Sequence, residues 1–181
     1  MVYVFLADGF ETVEALCPID LMRRAGLDVT TVSITDSLTV TSRQNITVFC
    51  DKTLDSVDLD KAELLMLPGG MPGSDNLAKC EYLCDLLVKA HEKDVALAAI
   101  CAAPYVLGML GLLEGKQATC YPGFEGLLKG ALISEKTVVR DGNVVTGAGM
   151  GVATEFGLEL ISLLCSDEKA DEIAKSVIFE R

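Results

Sequence analysis

A chain of 181 residues, half of them hydrophobic and 23% charged, has a globular composition and enough length to bury one core without staples. Its formal charge of −12, with no basic run to offset it, repels phosphate backbones and argues against nucleic-acid and anionic-membrane binding. The N-terminal "MVYVFLADGFE" lacks a positive region and meets an acid at Asp8, so it does not read as a signal peptide. The seven cysteines are accordingly expected as reduced thiols, and the cytoplasm is the default location.

Apolar runs alternate with helical patterns along the chain. "VYVFLA" (2–7) reads as a buried strand, 12–25 as a helix ending before Gly26, and "DVTTVSI" (28–34) as a second strand. Residues 38–50 suggest a hairpin. "ELLMLP" (63–68) is a further strand, followed by a Gly-rich turn and one helix over about 75–92. "VALAAI" (95–100) feeds a helix from about 104, "TVVRDGNVVTG" (137–147) is a hairpin marked by Asp141-Gly142, and helices over about 152–165 and 167–178 follow. Residues 95–113 carry no charge and approach the length of a membrane span, but Pro104, Gly108 and Gly111 interrupt them. A strand-turn-helix crossing a core reads equally apolar. The alternation predicts a single α/β domain over 1–181, with a mainly parallel sheet covered on both faces.

In such sheets, sites gather beyond the carboxyl ends of the strands. Three loops there stand out: "ADGFETVE", "PGGMPG" and "CAAP". In "AAICAAP" (98–104) small residues let the backbone turn sharply around Cys101, and Pro104 suits the first turn of a helix. A thiol there is expected to gain acidity from the helix N-terminus. A small cysteine at a buried turn fits the local sequence equally well. The amides of "PGG" (68–70) and of Ala102 are candidate oxyanion donors, although φ alone can demand such glycines.

A nucleophilic thiol needs a proton acceptor. The only histidine, His91, falls near the end of the 75–92 helix and hence at the amino edge of the sheet. A strand of about six residues, on the order of 20 Å, separates it from Cys101. An intramolecular Cys–His dyad is therefore excluded as the leading reading. The remaining candidate is a carboxylate of the first loop, Glu11 or Glu14; burial raises a carboxyl pKa and suits it to donate or shuttle a proton, although acids in a first turn often only complement the helix dipole. Cys80 and Cys84 share a helix face without further metal ligands, so no metal site is expected. "GAGMG" (147–151) is a weak dinucleotide signal, and Cys120 is a candidate resolving thiol.

"ETVEALCPIDLMRRAG" (11–26), "TSR" (41–43), "LPGG" (67–70), "AAICAAP" and "TGAGMGVATEFGLELI" (146–161) together resemble the ThiJ/PfpI family, in the deglycase/glyoxalase-like branch of the Parkinson-disease-associated protein. The resemblance covers nearly the whole chain. It implies a flavodoxin-like three-layer sandwich with a strand-turn-helix nucleophile elbow, usually a homodimer. It also implies Cys101 as nucleophile, Glu14 as the facing acid, the amides of Gly70 and Ala102 as the oxyanion donors, and Gly69 and Arg43 as further oxyanion or substrate-binding positions. The implied activity is cofactor-free and metal-free conversion of methylglyoxal or glyoxal, or repair of early glycation adducts on proteins and nucleotides. The alternative is a stress-responsive protein whose cysteine oxidises to a sulfinate; an intracellular cysteine protease is a third reading. Two departures bear on this. Tyr121 stands where many members have histidine, and Ala148 stands where the Parkinson-associated member has arginine.

Overall fold

The computed structural model describes residues 1–181. Its strands are β1 (Val2–Leu6), β2 (Val29–Ser33), β3 (Thr39–Thr41), β4 (Thr47–Phe49), β5 (Lys52–Thr53), β6 (Leu64–Leu67), β7 (Ala96–Ile100), β8 (Gln117–Ala118), β9 (Leu132–Ile133), β10 (Val138–Asp141) and β11 (Val144–Gly147). The helices are α1 (Thr12–Arg24), α2 (Gly73–Lys79), α3 (Glu81–Glu92), α4 (Pro104–Met109), α5 (Ala153–Leu164) and α6 (Asp167–Ser176).

Seven strands form one sheet in the order β10-β11-β7-β6-β1-β2-β5, parallel except for the β10–β11 hairpin. Alternation along β1 shows why both faces are covered. Val2, Val4 and Leu6 enter one core, while Tyr3 and Phe5 enter the other. The first core packs under α1, α5 and α6, with Ile19, Met22, Phe156 and Ile173 among its members. The second packs under α2, α3 and α4 through Leu77, Leu83, Leu87 and Val106. This is the flavodoxin-like three-layer α/β fold that the motifs imply.

The apolar run 95–113 is β7, whose alternate residues enter the two cores, followed by a turn and α4 in the second core, and no helix is long and apolar enough to cross a membrane.

Three local differences from the sequence reading have physical causes. The helix expected over 75–92 is two helices, because Cys80 adopts extended backbone (φ −81°, ψ 92°) and opens α3. Asp141 pairs with Val144, so the hairpin turn is Gly142-Asn143, with Gly142 at φ +61°; glycine belongs at that first central position of a II′ turn. The two-residue strands β5, β8 and β9 are too short to show a period.

The order also fixes where a site can form. From β1 the chain runs outward to β2 and β5, then returns across β1 to β6 and β7. The loops after β1 and β6 therefore diverge and leave a crevice at the carboxyl edge. Arg43 reaches this edge on the β3–β4 hairpin, which is tied down by the Thr41 amide donating to Asp8 Oδ1 at 2.8 Å and the Arg43 amide donating to the Phe10 carbonyl at 2.9 Å.

Candidate active site

Cys101 follows β7 directly and has φ +65°. A non-glycine residue in this left-handed region costs about 1–3 kcal/mol, so the surrounding bonds must hold it. They do: its amide donates to the Gly147 carbonyl at 2.8 Å and its carbonyl accepts from the Tyr121 amide at 2.8 Å. The alanines at 98, 99, 102 and 103 are buried and leave the turn room to close. The strained elbow aims the half-buried thiol into a pocket of about 290 Å³.

Glu14 comes from the first turn of α1 and is only 1% exposed. Gly69 separates it from the cysteine. A Cβ on Gly69 would lie 2.6 Å from Cys101 Cβ and closer still to Glu14 Oε2, so only glycine lets the two side chains meet. The amides of Gly69 and Met150 face the Glu14 carboxyl, yet Oε2 has no well-aligned hydrogen-bond partner. Burial, reinforced by the neighbouring charge of Glu11, pushes Glu14 up to about 7, against the opposing hydrogen bonds from Cys101 and the backbone.

The acidic thiol expected from a helix N-terminus is not what the structure holds. Burial first, and then the charge and hydrogen bond of Glu14, push Cys101 up to about 12, although the Ala102 and Gly70 amides on its sulfur oppose the rise. The dipole is weak here because α4 has only six residues. Cys101 and Glu14 therefore titrate as one unit. The pair releases its first proton at about 7, chiefly from the Glu14 carboxyl, and its second, chiefly from the Cys101 thiol, at about 12. An anion at the sulfur has two amides already aimed at it.

The sequence-derived residues largely converge. Cys101, Glu14, Gly70, Ala102 and Arg43 all line the pocket, and Glu11 joins them. Gly69 lies behind it, facing Glu14 rather than the cavity. Gly70 has φ +93°, and a Cβ there would collide with the Glu11 amide nitrogen. Glu11 accepts a 2.6 Å hydrogen bond from Gln44 Nε2. His91 lies near the C-terminal end of α3, five residues before β7 starts at the sheet's amino edge, and lines no pocket. Cys120 is buried in the second core, away from the pocket lining, and burial pushes its thiol up to about 11. Ala148 borders a neighbouring depression instead of the Cys101 pocket. No group of three or more His, Cys, Asp or Glu side chains is arranged to hold a metal ion.

Met71, Phe124 and Met150 complete the pocket and were missed by sequence reasoning. Met71 and Met150 fall inside the glycine-rich segments "PGGMPG" and "GAGMG" without being singled out there, and nothing in the local pattern marks Phe124. Tyr121 was visible only as a departure from the family pattern; here it forms part of the wall.

A buried carboxyl facing a strained cysteine, at the crevice of a flavodoxin-like sheet, defines a class of α/β proteins with a thiol–acid site. Residues 1–163 match the DJ-1/PfpI family model. Protein dj-1beta of Drosophila melanogaster is 36% identical over 177 residues, covering 97% of this chain and 95% of that protein. Protein DJ-1 homolog B of Arabidopsis thaliana is 40% identical over 98% of this chain but only 41% of its own length. The structure of oxidised Toxoplasma gondii DJ-1 superposes with a TM-score of 0.95 at 33% identity, covering 99% and 98% of the two chains. The chain belongs to the DJ-1/PfpI family, which includes enzymes.

Proposed function

We propose that this protein is a cofactor-independent glyoxalase or deglycase acting on methylglyoxal, glyoxal or early glycation adducts. The observation that carries the reading is the buried Glu14 carboxyl set against Cys101 across Gly69, with a pKa of about 7. General acid–base catalysis is most efficient when the group's pKa lies near the working pH.

The chemistry follows from this placement. The sulfur of Cys101 adds to the aldehyde carbon of methylglyoxal, and the pair's proton passes to the carbonyl oxygen, giving a hemithioacetal. The Gly70 and Ala102 amides stabilise negative charge as it leaves sulfur and forms on oxygen. Glu14 as carboxylate removes the proton from the former aldehyde carbon and returns it to the adjacent carbon, while the hydroxyl proton passes to the neighbouring carbonyl oxygen through the enediol. This internal redox step leaves a lactoyl thioester. Water then cleaves the carbon–sulfur bond, releasing lactate and restoring the thiol. Arg43 at the pocket edge favours polar or anionic substrate groups. The homodimer expected from the resemblance and the cytoplasmic setting taken as the default belong to the same proposal.

Lactate formation tests it. Turnover should vanish in Cys101→Ser and fall by at least about 100-fold, the usual lower range for losing a general base, in Glu14→Gln. Wild-type turnover in both variants would refute the mechanism.

A second reading has its own support: a relative of near-identical fold is a structure of an oxidised DJ-1. As a redox-responsive protein, the chain would take up two oxygens at Cys101 under graded peroxide before its other six cysteines react. Mass spectrometry showing unselective oxidation would remove this reading.

A further inference from the structure

The Cys101 pocket is larger and more apolar than a three-carbon aldehyde requires. Its volume of about 290 Å³ approaches the range that encloses drug-sized ligands, roughly 300–1,000 Å³. Its charged side chains, Glu11, Glu14 and Arg43, come from the loop after β1, the start of α1 and the β3–β4 hairpin. The loops at 121–124 and 148–152 supply a different wall: Tyr121, Phe124 and Met150. Phe124 is braced by Tyr105, the ring centroids being 6.1 Å apart.

That wall continues outward. A second, more open depression of about 320 Å³ shares Tyr121 and Met150 with the first pocket and adds Pro122, Ala148 and Val152, with no charged residue in its lining. Tyr121 is 51% exposed and Met150 53% exposed, an unusual pair of large apolar surfaces to leave beside a nucleophile. The glycines at 149 and 151 keep the loop free of bulk, and a Cβ on Gly149 would stand 3.5 Å from the Tyr121 ring.

We infer that this wall is a specificity subsite for an aryl or other bulky apolar substituent on the carbonyl compound captured by Cys101. The inference rests on the proposed role of Cys101 as the group that attacks the carbonyl, and deepens it by naming the substrate class. In an aryl glyoxal the aldehyde carbon meets sulfur, while the ring packs on Tyr121, Phe124 and Met150. The bonding is that of the smaller substrate: sulfur adds to the aldehyde carbon and the thiol proton passes to oxygen. A hydrophobic pocket discriminates a single methylene by roughly 10–200-fold, and an open wall sits at the low end of that range. An aryl group is therefore favoured over methyl by about tenfold or more.

The test uses the full chain with two alkylating probes, phenacyl bromide and bromoacetone. In each, the Cys101 sulfur bonds to the CH2 carbon and bromide leaves with the carbon–bromine electron pair, so no turnover is needed. Rates at Cys101, read by peptide mass spectrometry, are divided by those of free glutathione to remove intrinsic reactivity. The expected aryl-to-methyl ratio is about tenfold or more. It falls toward one in Tyr121→Ala and, independently, in Met150→Ala. Turnover of phenylglyoxal and methylglyoxal is compared in parallel, with the same preference expected in kcat/KM.

A wild-type alkylation ratio near one overturns the subsite. So does an unchanged ratio in both variants, or a shift of oligomeric state with the ratio retained, which would give the wall to a second copy of the chain. Turnover of neither aldehyde, with the alkylation preference intact and lost in the variants, supports the subsite while removing the glyoxalase reading.

Discussion

Glu14→Gln separates the burial of a carboxyl from the burial of a carboxylate, and the fold should register the difference through pH. Glu14 is 1% exposed and its pKa rises from 4.5 to about 7 on folding. Between those values the folded state holds a proton that the unfolded state has released. Stability therefore falls as pH rises through this window: the contribution is complete below about pH 4.5 and lost above about pH 7. At about 1.4 kcal/mol per pH unit, the shift amounts to about 3 kcal/mol. For a chain of this size that is about 6–12 °C in Tm. The neutral glutamine has the shape of the protonated acid and loses nothing on the way to pH 8. Thermal unfolding of both proteins from pH 4.5 to 8 isolates the effect, because the other titrating groups are common to both. The Tm difference should be small at pH 4.5 and grow to favour Glu14→Gln by several degrees at pH 8. Parallel curves, or a variant increasingly less stable at high pH, would refute the buried-acid account.

Gly70→Ala forces a side chain to φ +93° and against the Glu11 amide, so both Cys101 alkylation and Tm should drop together. Gly157→Ala tests the fold away from the site: its Cβ would sit 2.8 Å from Leu21 Cδ1 and 3.0 Å from Pro18 Cα, prising α5 from α1 and costing about 1–3 kcal/mol by denaturant unfolding. Phe156→Ala, fully buried in the first core, should cost about 3–5 kcal/mol in the same assay. Arg43→Ala should leave stability within about 0.5 kcal/mol while raising KM for polar aldehydes.

The fold was legible because its signals are long and redundant. Strand and helix periods alternate almost throughout, and "LPGG" with "AAICAAP" marks two consecutive turns at the carboxyl edge of the sheet. Cys101 could be singled out because an elbow needs small neighbours, and His91 could be set aside by counting along a strand. The break at Cys80 could not be read, since 75–92 is apolar at helical spacing on both sides of it. The role of Gly69 could not be read either: the resemblance pointed to the Gly70 amide at the sulfur, but only tertiary packing shows Gly69 between the acid and the cysteine. The thiol's acidity was misjudged for a related reason. The helix dipole can be read locally, whereas burial and the charge of Glu14 arise only when α1 meets the β7 elbow. The apolar wall of Tyr121, Phe124 and Met150 is likewise a product of loops far apart in sequence.

That Cys101 and Glu14 act as a single titrating unit is tested most directly by the pH dependence of Cys101 alkylation with iodoacetamide, followed by peptide mass spectrometry. The reacting species is the thiolate, which below about 12 is a minor form holding a fixed share of the singly ionised pair, and that pair forms at about 7. In the wild type the rate should therefore rise through an inflection at about pH 7 and level off, well before the thiol's own rise at about 12. In Glu14→Gln the inflection at about pH 7 should vanish and leave one later rise. Identical profiles in the two proteins would contradict the account.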